Sequence, residues 1–352
     1  MHPDPLRSKR LSLRWPLGSS IGIALLLMLG VAGVCEGLAS VKWIQRRLPP
    51  PSVGCGHPQL DRKLALLNTL MARKGGVDCL FVGSSMVLRS FNPEVFGESY
   101  KQQTGKEITS FNFGLGGLAE PGEELLNRIL VEKYRPRLLI IGTSPYGLDE
   151  VKGAEFLARL KTNPWVLYHQ GKISLDGWLI EHSLAFRNYL GYRFLSEDNP
   201  LIIKEIRQSM VRTTDLGFGN REVWRFNRMN DNAIAILGRY EISEEHLTAL
   251  SHVLQLHSAV PMLMVEIPIA PDLLGSFRNG EQDYYRALDA IRDVAAAQGV
   301  PFWRMPSDRA IQLADFQDGV HMNRIGADRF SRWLGEQMGL AVRQGQLKDP
   351  TK

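Results

Sequence analysis

The chain has 352 residues, 44% hydrophobic and 22% charged, with a formal net charge of +5. This is globular composition, long enough for one large domain or two small ones. No Lys/Arg-rich run interleaved with aromatics occurs in the body, which argues against a nucleic-acid partner. The three cysteines, Cys35, Cys55 and Cys79, form no C-x₂₋₄-C pair, so a zinc site is not expected, and no cofactor is called for.

The first element is a charge-free stretch from Pro16 to Cys35. Its length of about 20 residues fits a membrane-spanning helix, and a core helix of this purity would be unusual. Arg7, Lys9, Arg10 and Arg14 precede it, and Lys42, Arg46 and Arg47 follow. That balance gives the positive-inside rule little to act on. We read residues 1–15 as a cytoplasmic tail and 16–38 as an uncleaved signal-anchor in the inner membrane, leaving the rest of the chain periplasmic. Cleavage at the small-x-small site Gly37-Leu38-Ala39 is the alternative. A lipoprotein is excluded, because Val34 rather than a small residue precedes Cys35. Residues 39–76 form a linker and leading helix. Pro49, Pro50 and Pro51 stiffen the membrane exit, and Leu60, Leu64, Leu67 and Leu70 predict a helix over Gln59–Arg73.

Strands are predicted at Asp78–Val82, Ile108–Phe113, Leu138–Ile141, Met262–Ile267 and Pro301–Met305. Helices are predicted between them at Glu123–Glu132 and Tyr284–Ala297, with a terminal amphipathic helix opening near Asn323. This alternation predicts an α/β domain over residues 77–345, built on a parallel sheet with its site at the strands' C-terminal ends. Residues 150–257 break the rhythm. Trp165, Tyr168, Trp178, Phe186, Tyr189, Tyr192, Trp224 and Phe226 lie there without a clear strand. We read a mainly helical insertion capping the site edge, its aromatics weighing more toward core packing than carbohydrate binding. Cys55 and Cys79 either pair in an oxidising compartment or stand free, Cys79 buried and Cys55 exposed.

Two segments carry chemistry. Cys79-Leu80-Phe81-Val82-Gly83-Ser84-Ser85 is an apolar run ending where a strand turns into a helix. A Ser on such a turn is exposed at the sheet edge and becomes a nucleophile once a His takes its proton. Far downstream, Asp318-Gly319-Val320-His321 supplies an Asp three residues before a His, the pair that orients and charge-stabilises an imidazole base. The competing readings are structural: Ser84 or Ser85 as a helix N-cap, and Asp318 as the cap of the last helix. His169, His182, His246, His252 and His257 lack an Asp at a comparable offset. Arg89, one turn after Ser85, either binds an anion or is solvated.

The order of these blocks resembles the SGNH (GDSL-type) hydrolase superfamily over roughly residues 77–145 and 258–338. Gly83-Ser84-Ser85 matches its first block, with Ser84 in place of the family's Asp. Asn112-Phe113-Gly114-Leu115-Gly116-Gly117 matches the second, and Asp318-Gly319-Val320-His321 the last. The resemblance implies a flavodoxin-like three-layer fold, a Ser85–His321–Asp318 triad, and an oxyanion contact from the Gly117 N–H. The family's third block, Gly-x-Asn-Asp, stands here as Gly142-Thr143-Ser144-Pro145, so Ser144 is the only side chain in place of the oxyanion Asn. The Gly-Ser-Ser and Ser-Pro combination is similar to membrane-anchored members that serve alginate O-acetylation and teichoic-acid D-alanylation. It implies ester hydrolysis or O-acyl transfer on an envelope or exopolysaccharide glycan, with a membrane-bound O-acyltransferase as acyl-supplying partner. A plain envelope esterase and an inactive member of the fold are the other readings.

Overall fold

The computed structural model describes residues 17–45, 47–48, 50–149, 154–196, 213–219, 226, 228–309 and 311–351. The basic flank Arg7, Lys9, Arg10 and Arg14, together with Pro16, Arg46 and Trp224, lies outside the described residues.

Five strands form one sheet: β1 (Cys79–Val82), β2 (Ser110–Asn112), β3 (Leu138–Thr143), β4 (Met262–Glu266) and β5 (Phe302–Trp303). The spatial order is β2-β1-β3-β4-β5, and every neighbouring pair is parallel. All residues of β1, β3 and β4 are buried. Their near-continuous apolar sequences are what a parallel strand covered on both faces requires. The expected strands are all present; β3 runs two residues further, to Thr143, while β2 and β5, which pair on one side only, are cut back most.

The crossovers create the two covering layers. From β1 the chain steps outward to β2 through the helix Pro93–Thr104, then returns past β1 to β3 through Glu120–Tyr134. Opposite steps with the same right-handed crossover place these helices on opposite faces. The first face is completed by the terminal helix Arg324–Arg343, packed on Pro93–Thr104; Glu244–Leu254 packs on Glu120–Tyr134 in the other. The fold is therefore a three-layer, flavodoxin-like α/β sheet. The reversal of strand order between β1 and β3 opens a crevice at their carboxyl ends, where ligands bind in such sheets.

The insertion is helical as expected, with helices at Ala154–Thr162, Pro164–His169, Leu175–His182, Leu184–Ser196 and Asp231–Leu237. Its aromatics divide: Trp165 is core, whereas Trp178, Tyr189 and Tyr192 are exposed. The apolar helix spans Leu17–Ser40. Its Ser20–Ser40 portion, mean hydropathy 2.2, is exposed along nearly its whole length, and near its end it meets the helix Leu184–Ser196. There the Glu36 carboxylate accepts from the Leu184 N–H at 2.7 Å, the Ala185 N–H at 3.1 Å and the Ser183 hydroxyl at 2.8 Å, capping the helix Leu184–Ser196. All three cysteines are free, and Cys55 is buried rather than exposed. It packs in the core with Val53 and Leu60, and burial pushes its thiol pKa up.

Candidate active site

β1 delivers the nucleophile candidate. At its end Gly83 adopts φ 144°, and a Cβ there would stand 2.4 Å from Val87 Cγ2 and 2.7 Å from the Gly142 carbonyl. Only glycine suits both the backbone and the space. Ser84 then caps the helix Ser85–Ser90, its Oγ accepting from the Met86 N–H at 3.2 Å. With the cap assigned to Ser84, Ser85 begins the helix half-buried and with its hydroxyl uncommitted to the backbone.

The base arrives on a tight loop. Phe316 and Met322 pair in an antiparallel bridge, and the Gln317 N–H donates to the His321 carbonyl at 2.7 Å. Inside this loop Asp318 Oδ1 accepts from the Val320 N–H at 3.1 Å and the His321 N–H at 2.8 Å. Its Oδ2 stands 2.9 Å from His321 Nδ1. A carboxylate only accepts, so the Nδ1 proton points at Asp318 and Nε2 is left as acceptor. That Nε2 stands 2.8 Å from Ser85 Oγ. Burial by itself would raise the Asp318 carboxyl, but the hydrogen bond and charge of His321, with the two backbone N–H groups, hold it well below the usual carboxylate range. Asp318 is not the cap of the terminal helix; Asn323 is, accepting from the Gly326 N–H at 3.0 Å.

Helix packing closes the sequence separation of 236 between Ser85 and His321. Ser331, on the terminal helix, accepts from the Asn92 N–H at 2.7 Å and donates to the Ser90 carbonyl at 3.1 Å. Phe330 meets Phe91 edge-on, centroids 5.4 Å apart. Arg89, read as anion-binding or solvated, instead donates to Gln317 Oε1 at 2.9 Å and ties the two segments together. The insertion reaches the same loop, since the Asn230 N–H donates to the Asp318 carbonyl at 3.1 Å.

The loop expected to bind an oxyanion is built differently. Gly117 is exposed at φ 72°, and no described residue accepts its N–H. The peptide unit that carries this N–H is held through its other end. The Gly116 carbonyl stands 2.9 Å from His57 Nε2, and the Gly116 N–H donates to Gln59 Oε1 at 2.9 Å. His57 Nδ1 accepts from the Leu60 N–H at 3.2 Å, so its proton sits on Nε2 and is donated to Gly116. Burial lowers the His57 pKa to about 4, with the Gly116 bond opposing, and keeps the ring neutral at neutral pH. Asn112 braces the loop from below: its amide donates to the Val87 and Phe91 carbonyls at 2.8 and 2.7 Å, and its Oδ1 accepts from the Gly114 N–H at 2.9 Å. Lys63, fully buried, donates to the Asn112 carbonyl at 2.6 Å and to the Gly217 carbonyl.

His57, Gln59 and Lys63 were missed by sequence reasoning, which took their helix as a lead-in alone. One signal was available: Lys63 sits beside the Leu60-Leu64-Leu67 stripe, where a charged residue needs buried acceptors. Ser144 is where the sequence put it, just beyond β3, but its Oγ is sealed from solvent and bonds to no described residue. The structure does not join it to Ser85 or Gly117. Tyr146, two residues on, has its phenol pushed up to about 12 by burial and then by Asp318 and Asp149. Among the described residues no three His, Cys, Asp or Glu side chains cluster to hold a metal ion.

No protein-family model and no curated protein matches the chain. Among solved structures it is similar to a lipase/acylhydrolase from Enterococcus faecalis, at 12% identity and TM-score 0.36 over 77% of this chain and 97% of that one. It is also similar to a GDSL-like lipase from Bacteroides thetaiotaomicron, at 12% identity and TM-score 0.33 over 75% and 88%. A protein from Lactobacillus plantarum matches at 13% identity and TM-score 0.37 over 75% and 96%. These likenesses are weak, and what the site can do rests on its own atoms.

Proposed function

We propose that the chain is a membrane-anchored, SGNH-type serine esterase or O-acyltransferase that works through an acyl-Ser85 intermediate. The observation that carries this is the continuous hydrogen-bonded line Ser85 Oγ–His321 Nε2, His321 Nδ1–Asp318 Oδ2, at 2.8 and 2.9 Å. His321 Nε2 takes the Ser85 proton while Oγ bonds to the acyl carbonyl carbon. The carbonyl oxygen becomes an oxyanion facing the N–H groups of Ser85, first in its helix, and Gly117. The oxyanion collapses, the ester C–O bond breaks, and His321 returns the proton to the departing alcohol. An incoming hydroxyl then gives its proton to His321 as its oxygen bonds to the acyl carbon, and His321 passes that proton to Ser85 Oγ as the acyl–Oγ bond breaks. Asp318 stays ionised throughout and stabilises the imidazolium. Ser144 has no part in this scheme.

The incoming hydroxyl belongs to water in an esterase and to a glycan in a transferase. We favour a cell-envelope glycan as acceptor, on the resemblance to membrane-anchored acetylation proteins, with an integral-membrane acyltransferase supplying the acyl group. The exposed apolar span Ser20–Ser40 supports an anchor in the membrane. The test is to incubate the full chain with an activated acetyl ester, with and without polysaccharide. Acetyl appearing on glycan only when Ser85 is intact supports transfer. Acetate release unaffected by glycan makes the protein an esterase, and neither product means that the serine reading fails.

A further inference from the structure

A cavity of about 430 Å³ lies where the apolar helix hands over to the globular domain. Gln45, Leu48, Pro50 and Pro51 of the membrane exit form one wall, the helix Pro58–Lys74 a second, and Leu184–Asn188 of the insertion a third. Three of its lining residues each carry a nitrogen donor with no acceptor among the described residues. Arg62 Nε, Arg187 Nε and the Asn188 side-chain amide are each shielded from solvent and make no hydrogen bond among the described residues. Three such donors on one cavity are unexpected, because buried N–H groups are almost always paired.

The charge balance points the same way. Neither guanidinium makes an ion pair with a described carboxylate. Arg62 senses only the exposed Asp215, while Arg187 senses Asp61 and Glu36. Asp61 Oδ1 is already engaged by the Val53 N–H at 2.8 Å, and Glu36 by the Leu184–Ser196 helix. Burial pushes the Asp61 carboxyl up to about 7, so it offsets Arg187 only in part near neutral pH. What would satisfy two guanidinium Nε–H groups and an amide is an anion with several acceptor oxygens. The volume suits a phosphate ester with part of its glycerol.

We propose that this cavity is a phosphate-binding site at the membrane exit, with Arg62, Arg187 and Asn188 as its donors. Its ligand is the phosphate group of an anionic lipid headgroup or free phosphate. The site is separate from Ser85 and does not depend on the acyl-transfer reading. Held by a bilayer phosphate, it would fix the height and tilt of the domain above the membrane. Its junction with Glu36 would join the anchor to that fixed point.

The test uses the full chain in micelles doped with diacylglycerol, which lacks the phosphate, or phosphatidylglycerol, with retained lipid counted by native mass spectrometry. Thermal unfolding with added inorganic phosphate is the second readout. Wild type should retain phosphatidylglycerol selectively, and R62Q/R187Q should lose retention by about tenfold or more. R73Q/K74Q, which removes equal charge from the far end of the same helix, should behave as wild type. R62K/R187K, keeping charge but not the guanidinium groups, should lose less, which guards against a misfolded double Gln variant. Retention that inorganic phosphate does not displace assigns the site to lipid. A phosphate-induced rise in unfolding temperature without lipid retention assigns it to the free ion. Equal retention of both lipids with no phosphate effect overturns the proposal, as does R62Q/R187Q matching wild type or losing no more than R73Q/K74Q.

Discussion

The two sides of Ser85 are made by different means. On the base side the working groups are side chains: Asp318 and His321, three residues apart, bond at 2.9 Å, and His321 stands 2.8 Å from Ser85. On the proposed oxyanion side the donors are backbone N–H groups, and side chains act only from behind, His57 and Gln59 gripping the Gly116 peptide across 59 and 57 residues of chain. A side-chain apparatus announces itself by residue type and spacing. A backbone apparatus announces only its glycines, and what holds them lies wherever the fold brings it.

The sharpest way to break this contrast is at the base side. S85A and H321A should each lower acyl turnover by about 10⁴-fold or more, and the double variant should be hardly worse, because the groups act as a unit. D318N should be somewhat milder than H321A, since the imidazole keeps a partner but loses the charge that stabilises its protonated form. Additive losses in steady-state rates would show that the line of hydrogen bonds does not work as one device.

At the oxyanion side, H57A should lower kcat by about 10- to 100-fold with little change in KM, less than the 10²–10³ for a deleted oxyanion donor because Gly117 keeps its N–H. A KM effect alone would assign His57 to substrate binding instead. His57 also gives a pH signature. Its pKa falls from an ordinary 6.5 to about 4 in the folded state, so between those values the unfolded chain binds more protons. Stability should therefore decline as pH falls from about 6.5 to 4, by roughly 3 kcal/mol in full from this group. Chemical denaturation of H57Q across that range should show a flatter profile.

The smallest effects are expected where a hydroxyl contributes structure or nothing. S84A should keep activity and lose about 1 kcal/mol of stability through the missing cap. S144A should leave kcat within about threefold and should not destabilise, since it removes a buried hydroxyl without a partner. A large kcat loss in S144A would return that residue to the oxyanion hole.

The same division governs how much could be read from the sequence. The sheet was legible because buried parallel strands must be apolar runs such as Leu138–Ile141, and the helices because Leu60, Leu64 and Leu67 recur at helical spacing. Ser85, Asp318 and His321 were legible as residue types in order, and Gly83 by its place at a strand end. Which serine is the cap is decided by the fold, since either satisfies the same local rule. The roles of Arg89, His57 and Lys63 were hidden because each is set by a partner remote in sequence: Gln317, Gly116 and Asn112 with Gly217. Ser144 was placed correctly along the chain, yet its hydroxyl proved sealed, a matter of packing that spacing does not encode. Cys55 likewise lies in a linker by composition and in the core by contact.

The central claim is that Ser85 is a nucleophile activated by His321. Its most direct test is to treat the full chain with a fluorophosphonate at neutral pH and map the adduct by peptide mass spectrometry. The account predicts a single adduct on Ser85 that disappears in S85A and forms far more slowly in H321A. An unmodified Ser85 in folded protein, or an adduct on Ser84, would contradict it.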